Sequence, residues 1–303
     1  MKLTDVKISA NGYTAEFSSR RGATCYRLTN EPLSCDVLRT PKSEEDLKIN
    51  PYLYGNPILF PCNRIRGGKF TFDGREYSFP INEPKTNCHI HGALYALPFK
   101  TTEIAQDKVS FYYEAKEGEY LGFPHAFSAE RKYSLSDGGL EEQTTFANLS
   151  DKKMPLMLAF HTTFNAPFCG NGECLATIPV ACEQLRDENF LPIGEFSDGG
   201  EREQNLRRGS YEIGKTHISA LYKVNGTECE LTANGVILNY AASPEYGYRM
   251  TYAEKGAGFM VIEPQTSAID CFHLASAPEE NGLISLGAGE KITLFTRIST
   301  TKK

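Results

Sequence analysis

The chain has 303 residues, 40% of them hydrophobic and 23% charged, the balance of a protein that buries a sizeable core rather than of a disordered or fibrous one. Its formal net charge of -6 argues against non-specific binding to nucleic acid or to an anionic membrane, and says nothing against a neutral small molecule. No window approaches the ~20 apolar residues that a membrane helix needs.

The opening residues, "MKLTDVKISANGYTAEF", hold no continuous apolar stretch, so no signal peptide and a cytoplasmic location are expected. The nine cysteines are scattered, and in a reducing compartment they read as free thiols filling small apolar spaces. In "SEEDLK", Ser43 is a cap for one helical turn. "GNPILFPCNRIRGGKF", residues 55–70, follows. Arg64 and Arg66 are two apart, so in an extended segment they point the same way. An arginine beside a core segment serves either in a structural ion pair or as a fork of donors for hydroxyl or carboxylate groups.

"KFTFDGREYSF" is a hairpin pattern: Asp73-Gly74 suits a two-residue turn at positive φ and would pair Phe72 with Arg75 and Phe70 with Tyr77. "TNCHIHGALY", residues 86–95, places His89 and His91 at i, i+2 on one strand face, and Gly92 lets a backbone or a ligand come close. Cys88 faces the other way, and Cys169 and Cys174 of "CGNGEC" match no firm zinc spacing, so no metal is expected.

Period-two strands follow. In "KVSFYYEAK", Val109, Phe111 and Tyr113 share a face; in "AFSAERKYSL", Phe127, Ala129, Arg131, Tyr133 and Leu135 do. "MPLMLAFHTTFNAPF", residues 154–168, puts Leu158, Phe160 and Thr162 on one face and His161 on the other, where it is either a satisfied core residue or a general acid with a pKa near working pH. "DGGEREQNLRRGSYEIGKTH", residues 198–217, reads as a long polar surface excursion, after which strand patterning resumes in "GVILNYAAS", "GYRMTYAEKG" and "KITLFTRIST". Between these lies "MVIEPQTSAIDCFH". It places Glu263 on the face of Phe259 and Val261, and a carboxylate there is costly unless it is paired or does chemistry. The expectation is an all-β chain, one large antiparallel β-sandwich over residues 1–303.

Four of these pieces, "LFPCNRIRGGKF", "HIHG", "AFHTTFN" and "IEPQT", stand in an order that resembles the aldose 1-epimerase (galactose mutarotase) family. The resemblance implies the family's β-supersandwich and interconversion of the α and β anomers of a hexose or related sugar, without metal, nucleotide or redox cofactor. It implies Glu263 as general base, His161 as general acid, and Arg64 and His91 as substrate-binding residues. Base and acid are expected to meet one end of the sugar from different sides, with both histidines facing Glu263 across a gap one pyranose wide. His89 has no counterpart. Ser219 falls where the family carries a hydroxyl-binding acid, which puts the usual galactose specificity in question. The implied partner is a small-molecule sugar, with no nucleic acid or membrane, and the oligomeric state stays open. Three alternatives remain. A hexose-6-phosphate 1-epimerase on the same fold would need further basic residues, for which Arg66 and Lys69 are candidates. A glycoside hydrolase would need a second carboxylate. A non-catalytic sugar-binding protein would keep only the pocket.

Overall fold

The structure, a computed structural model, describes residues 3–303. Two large antiparallel sheets dominate it. A nine-stranded sheet is centred on Phe127–Ser136, Gly139–Asn148, Lys291–Lys302 and Val236–Ala242. An eight-stranded sheet runs from Pro192–Ser197 through Val180–Arg186, Ile218–Val224, Tyr248–Ala253 and Phe259–Gln265 to Ala159–Phe160 and Ile58–Leu59, with Thr163–Asn165 also paired to Phe259–Gln265. One apolar core joins the sheets as a β-sandwich, including Phe111, Phe127 and Leu238 from the first and Leu221, Met260 and Ile262 from the second. Aromatic contacts tie them, as in Phe164 against Tyr240 at 5.2 Å between ring centroids. Among the described residues no helix is long and apolar enough to cross a membrane.

Local sequence explains much of this. Asp73 and Gly74 adopt φ of 49° and 73°, and the hairpin pairs Phe72 with Arg75 and Phe70 with Tyr77 as the turn residues require. Ser43 caps Glu44–Ile49, with Asp46 completing a capping box. All nine cysteines are free thiols, and all but Cys182 are buried. The polar stretch 198–217 is not a plain excursion: it contains the helix Glu201–Arg208 and the short strand Tyr211–Glu212. That helix is held by Glu203, whose carboxylate takes hydrogen bonds from the Tyr222 hydroxyl at 2.8 Å and from Arg202 at 2.5 Å. Leu206 is its one buried apolar side chain, so no apolar stripe advertises it.

Arg131 follows its apolar face into the core, where it and Glu142 are 0% and 2% exposed. Its Nε donates to Glu142 at 2.7 Å, and its two terminal nitrogens donate to the carbonyls of Gly22 and Asn56 at 2.6 and 3.1 Å. Asn56 closes the network through Glu142 at 2.9 Å. Removing one partner of such a pair leaves a buried, uncompensated charge. Arg131→Met should therefore cost ~3–5 kcal/mol in urea denaturation, and Arg131→Met with Glu142→Leu should recover most of it. A single substitution within ~1 kcal/mol of the parent would show that the pair does not carry the cost of a buried, uncompensated charge.

Candidate active site

Glu263 sits in Phe259–Gln265, which is buried along its whole length. Met260 and Ile262 enter the core between the sheets, and Phe259, Val261 and Glu263 take the other face. Its neighbour pairs Thr163 with Val261 and Ala159 with Gln265, a register that sets His161 opposite Glu263. The ladder opens locally there: the His161 amide donates to the Pro57 carbonyl at 3.0 Å and the Ile262 amide to the Thr162 carbonyl at 3.0 Å. Opposed residues on antiparallel strands stand ~4.5–5.5 Å apart at Cβ. His161 Nε2 and Glu263 Oε2 accordingly lie 3.7 Å apart. The expected pyranose-wide gap between Glu263 and His161 is thus not present. The two groups are neighbours on one wall, because one antiparallel register carries both.

That wall belongs to an open cleft of ≈ 650 Å³ whose lining includes Arg64, His91, His161 and Glu263. Arg64 begins the strand Arg64–Arg66, paired to Cys88–Ile90. Its Nε and Nη2 form a bidentate bond to Glu83 at 2.6 and 2.7 Å, which fixes the fork at the cleft wall. Arg66 goes elsewhere: its amide and Nε donate to Asp270 at 3.0 and 3.3 Å. Lys69 lines a separate cleft beside Phe70 and Phe272. Neither lines this one.

His89 and His91 do not share a strand face, because the strand ends at Ile90 and His91 turns to φ 64°. His89 is buried, with Nδ1 2.7 Å from the Pro80 carbonyl and its ring 5.0 Å from that of Phe79. His91 instead reaches the cleft, its ring 5.6 Å from that of His161. Gly92 is required by backbone: a Cβ there would lie 1.7 Å from the Phe60 carbonyl oxygen. Among the described residues no three metal-ligating side chains cluster.

Burial governs the electrostatics. It pushes the Glu263 carboxyl up to about 8, against a hydrogen bond from Gln265 Nε2 to Oε1 at 2.6 Å and the nearby charge of Arg64. It pushes the His161 imidazole down to about 4. His91 is held well below the usual histidine range by burial, and then by its neighbour His161. The pair therefore shares one proton at neutral pH, and burial favours the carboxyl as its holder. Glu263 Oε2 and the Nδ1 atoms of His91 and His161 have no hydrogen-bond partner.

Sequence reasoning missed Tyr52, Gln265 and Arg186. The Tyr52 ring lies tilted against those of His91 and His161, 4.7 and 6.0 Å away between centroids, from a loop with no pattern. Gln265 is two residues from Glu263, and strand alternation could have found it. Arg186 ends the strand Val180–Arg186, where apolar and polar residues do not alternate cleanly, and lines the cleft, as does Ser219.

A family profile described as Aldose 1-epimerase matches residues 5–299. Galactose mutarotase from Rattus norvegicus is 28% identical over 193 residues, 63% of this chain and 54% of that protein. The enzyme of the same name from Bos taurus is 28% identical over 202 residues, 66% of this chain and 57% of its own. The chain thus spans about half the length of the curated relatives it matches. A solved structure of a galactose mutarotase-like protein from Clostridium acetobutylicum superposes with a TM-score of 0.91 at 29% identity, covering 98% of this chain and 95% of that one.

Proposed function

This chain belongs to the aldose 1-epimerase family, and from that premise we propose that it interconverts the α and β anomers of an aldose, with Glu263 as base, His161 as acid, and Arg64 and His91 holding hydroxyls. The observation that carries this reading is the 3.7 Å between Glu263 Oε2 and His161 Nε2 in an open polar cleft.

The two oxygens that exchange protons in this reaction, the C1 hydroxyl and the ring oxygen, are bonded to one carbon. An adjacent acid and base match them better than a wide gap would. Substrate hydroxyls placed beside the two groups favour the charged forms that burial opposes. Glu263 carboxylate takes the proton of the C1 hydroxyl. His161 imidazolium gives one to the ring oxygen, and the C1–O bond to the ring opens. Both groups are then neutral, the state that their burial favours. The aldehyde turns about C1–C2, and closure on its other face returns both protons. A glycoside hydrolase fits less well: the cleft's other carboxylate, Glu83, is committed to Arg64.

Polarimetry on freshly dissolved α-glucose and α-galactose tests the reading. A saturable rate above the spontaneous one is expected, and no acceleration at any protein concentration would leave a sugar-binding protein. The pH dependence follows from one shared proton. After subtraction of the spontaneous rate, kcat/KM should be flat between about 4 and about 8. It should fall below that window, where a second proton removes the base, and above it, where loss of the proton removes the acid.

A further inference from the structure

We infer that Arg186 makes an anion subsite in this cleft, so that the aldose turned over carries an acidic group on the end of the molecule away from C1. The inference rests on the epimerase reading and names its substrate class. Arg186 lines the cleft beside Ser219, and its Nη2 donates to the Ser219 carbonyl and, at 3.4 Å, to the Ser219 hydroxyl. Its Nη1 is shut off from water with no partner. Among the described residues no carboxylate forms an ion pair with it. The acid three residues earlier in the strand, Glu183, is taken by Arg202 at 2.6 Å.

Arg64, in the same cleft, makes the comparison. Its charge is met by Glu83 through two bonds. The Arg186 charge is met by a carbonyl and a hydroxyl. The two guanidinium carbons lie 4.9 and 5.8 Å from the ring centroid of Phe190, so both cations converge on one patch of the cleft. Burial, and then the charge of Arg64, bring Arg186 down to about 10, which still leaves it charged at neutral pH. A desolvated cation without a counter-charge is costly. A neutral hydroxyl in the cleft would leave that charge standing, whereas an anionic oxygen beside the guanidinium would offset it.

The register gives the position. Glu263 pairs with Met250, Met250 with Leu221, and Leu221 with Gln184, so three strand spacings separate Glu263 from the strand of Arg186. At ~4.8 Å per spacing that is about 14 Å between backbones, with both residues lining the one cleft. An aldose with C1 at Glu263 would therefore present its far end, such as a C6 substituent, to Arg186. A carboxylate and a phosphate ester both supply the chemistry.

Exchange NMR on glucose, glucuronate and glucose 6-phosphate, with the wild type and Arg186→Gln, tests this. The wild type should favour at least one anionic sugar over glucose in kcat/KM by ~10–100-fold, and the variant should lose that ratio. The anion that wins separates carboxylate from phosphate. Arg186→Lys, which keeps a charge and loses the fork, should retain part of the preference. Equal or better turnover of glucose by the wild type, or an unchanged ratio in Arg186→Gln, would overturn the subsite while leaving the epimerase reading standing. Calorimetric titration covers the converse. Glucuronate binding that exceeds glucose binding and weakens in Arg186→Gln, with no sugar anomerised, would keep the subsite and reject the epimerase.

Discussion

Glu263→Gln should bind sugar, lose anomerisation by ~10²–10⁴-fold in kcat, and be the more heat-stable protein at high pH. The first two effects follow from shape. Glutamine keeps the size of the side chain and an oxygen to take the 2.6 Å bond from Gln265, and it cannot accept the C1 hydroxyl proton. The stability effect follows from linkage. Burial raises the folded-state value from 4.5 to about 8, so between those limits the folded protein keeps a proton that the unfolded chain releases. The stability that this carboxyl contributes is complete below 4.5 and is lost as pH rises to about 8. The amide has no such loss. His161 shifts the opposite way, but it is present in both proteins, so their difference isolates Glu263. Discounted for water in an open cleft, the gain is roughly 2 kcal/mol, or about 3 °C in Tm at pH 9, shrinking toward zero by pH 4. Scanning calorimetry at the two pH values reads it. Equal melting temperatures at pH 9, or full turnover in the variant, would remove Glu263 from the role of buried base.

The same residue shows what the sequence made legible and what it hid. Alternation along Phe259–Gln265 is enough to put Glu263 on the face of Val261, and the structure agrees. Strands, the Asp73-Gly74 turn and the Ser43 cap are likewise local, set by residues within a few positions of one another. The neighbourhood of Glu263 is not local. His161 stands opposite it through a pairing between segments that are remote in the chain, and no pattern in either one states the register. His89 and His91 fail for a related reason. The i, i+2 rule assumes a continuing strand, and the chain leaves the strand at His91 to bring Gly92 against Phe60. The helix Glu201–Arg208 was hidden because a carboxylate, Glu203, supplies its main anchor, and periodicity counts only apolar residues. Arg186 has a clear meaning only beside Ser219 and Arg64, which lie on other strands.

His161→Asn should lower kcat by ~10²–10⁴-fold and, more tellingly, reverse the pH response. In the wild type, activity falls above about 8 because the pair has then lost its last proton and no acid remains. In the variant there is no acid at any pH, and the residual rate depends only on whether Glu263 is ionised. It should therefore rise through the Glu263 transition and stay high beyond it. A merely structural histidine would lower the rate without changing the direction of that limb. The double variant adds a second check. Acid and base act on one proton inventory across 3.7 Å, so removing either leaves the other with nothing to complete. Glu263→Gln with His161→Asn should cost no more than the worse single change, far from the product of the two. Multiplicative losses would mean that the residues act independently, and a wild-type fall above pH 8 in His161→Asn would show that another group delivers the proton to the ring oxygen.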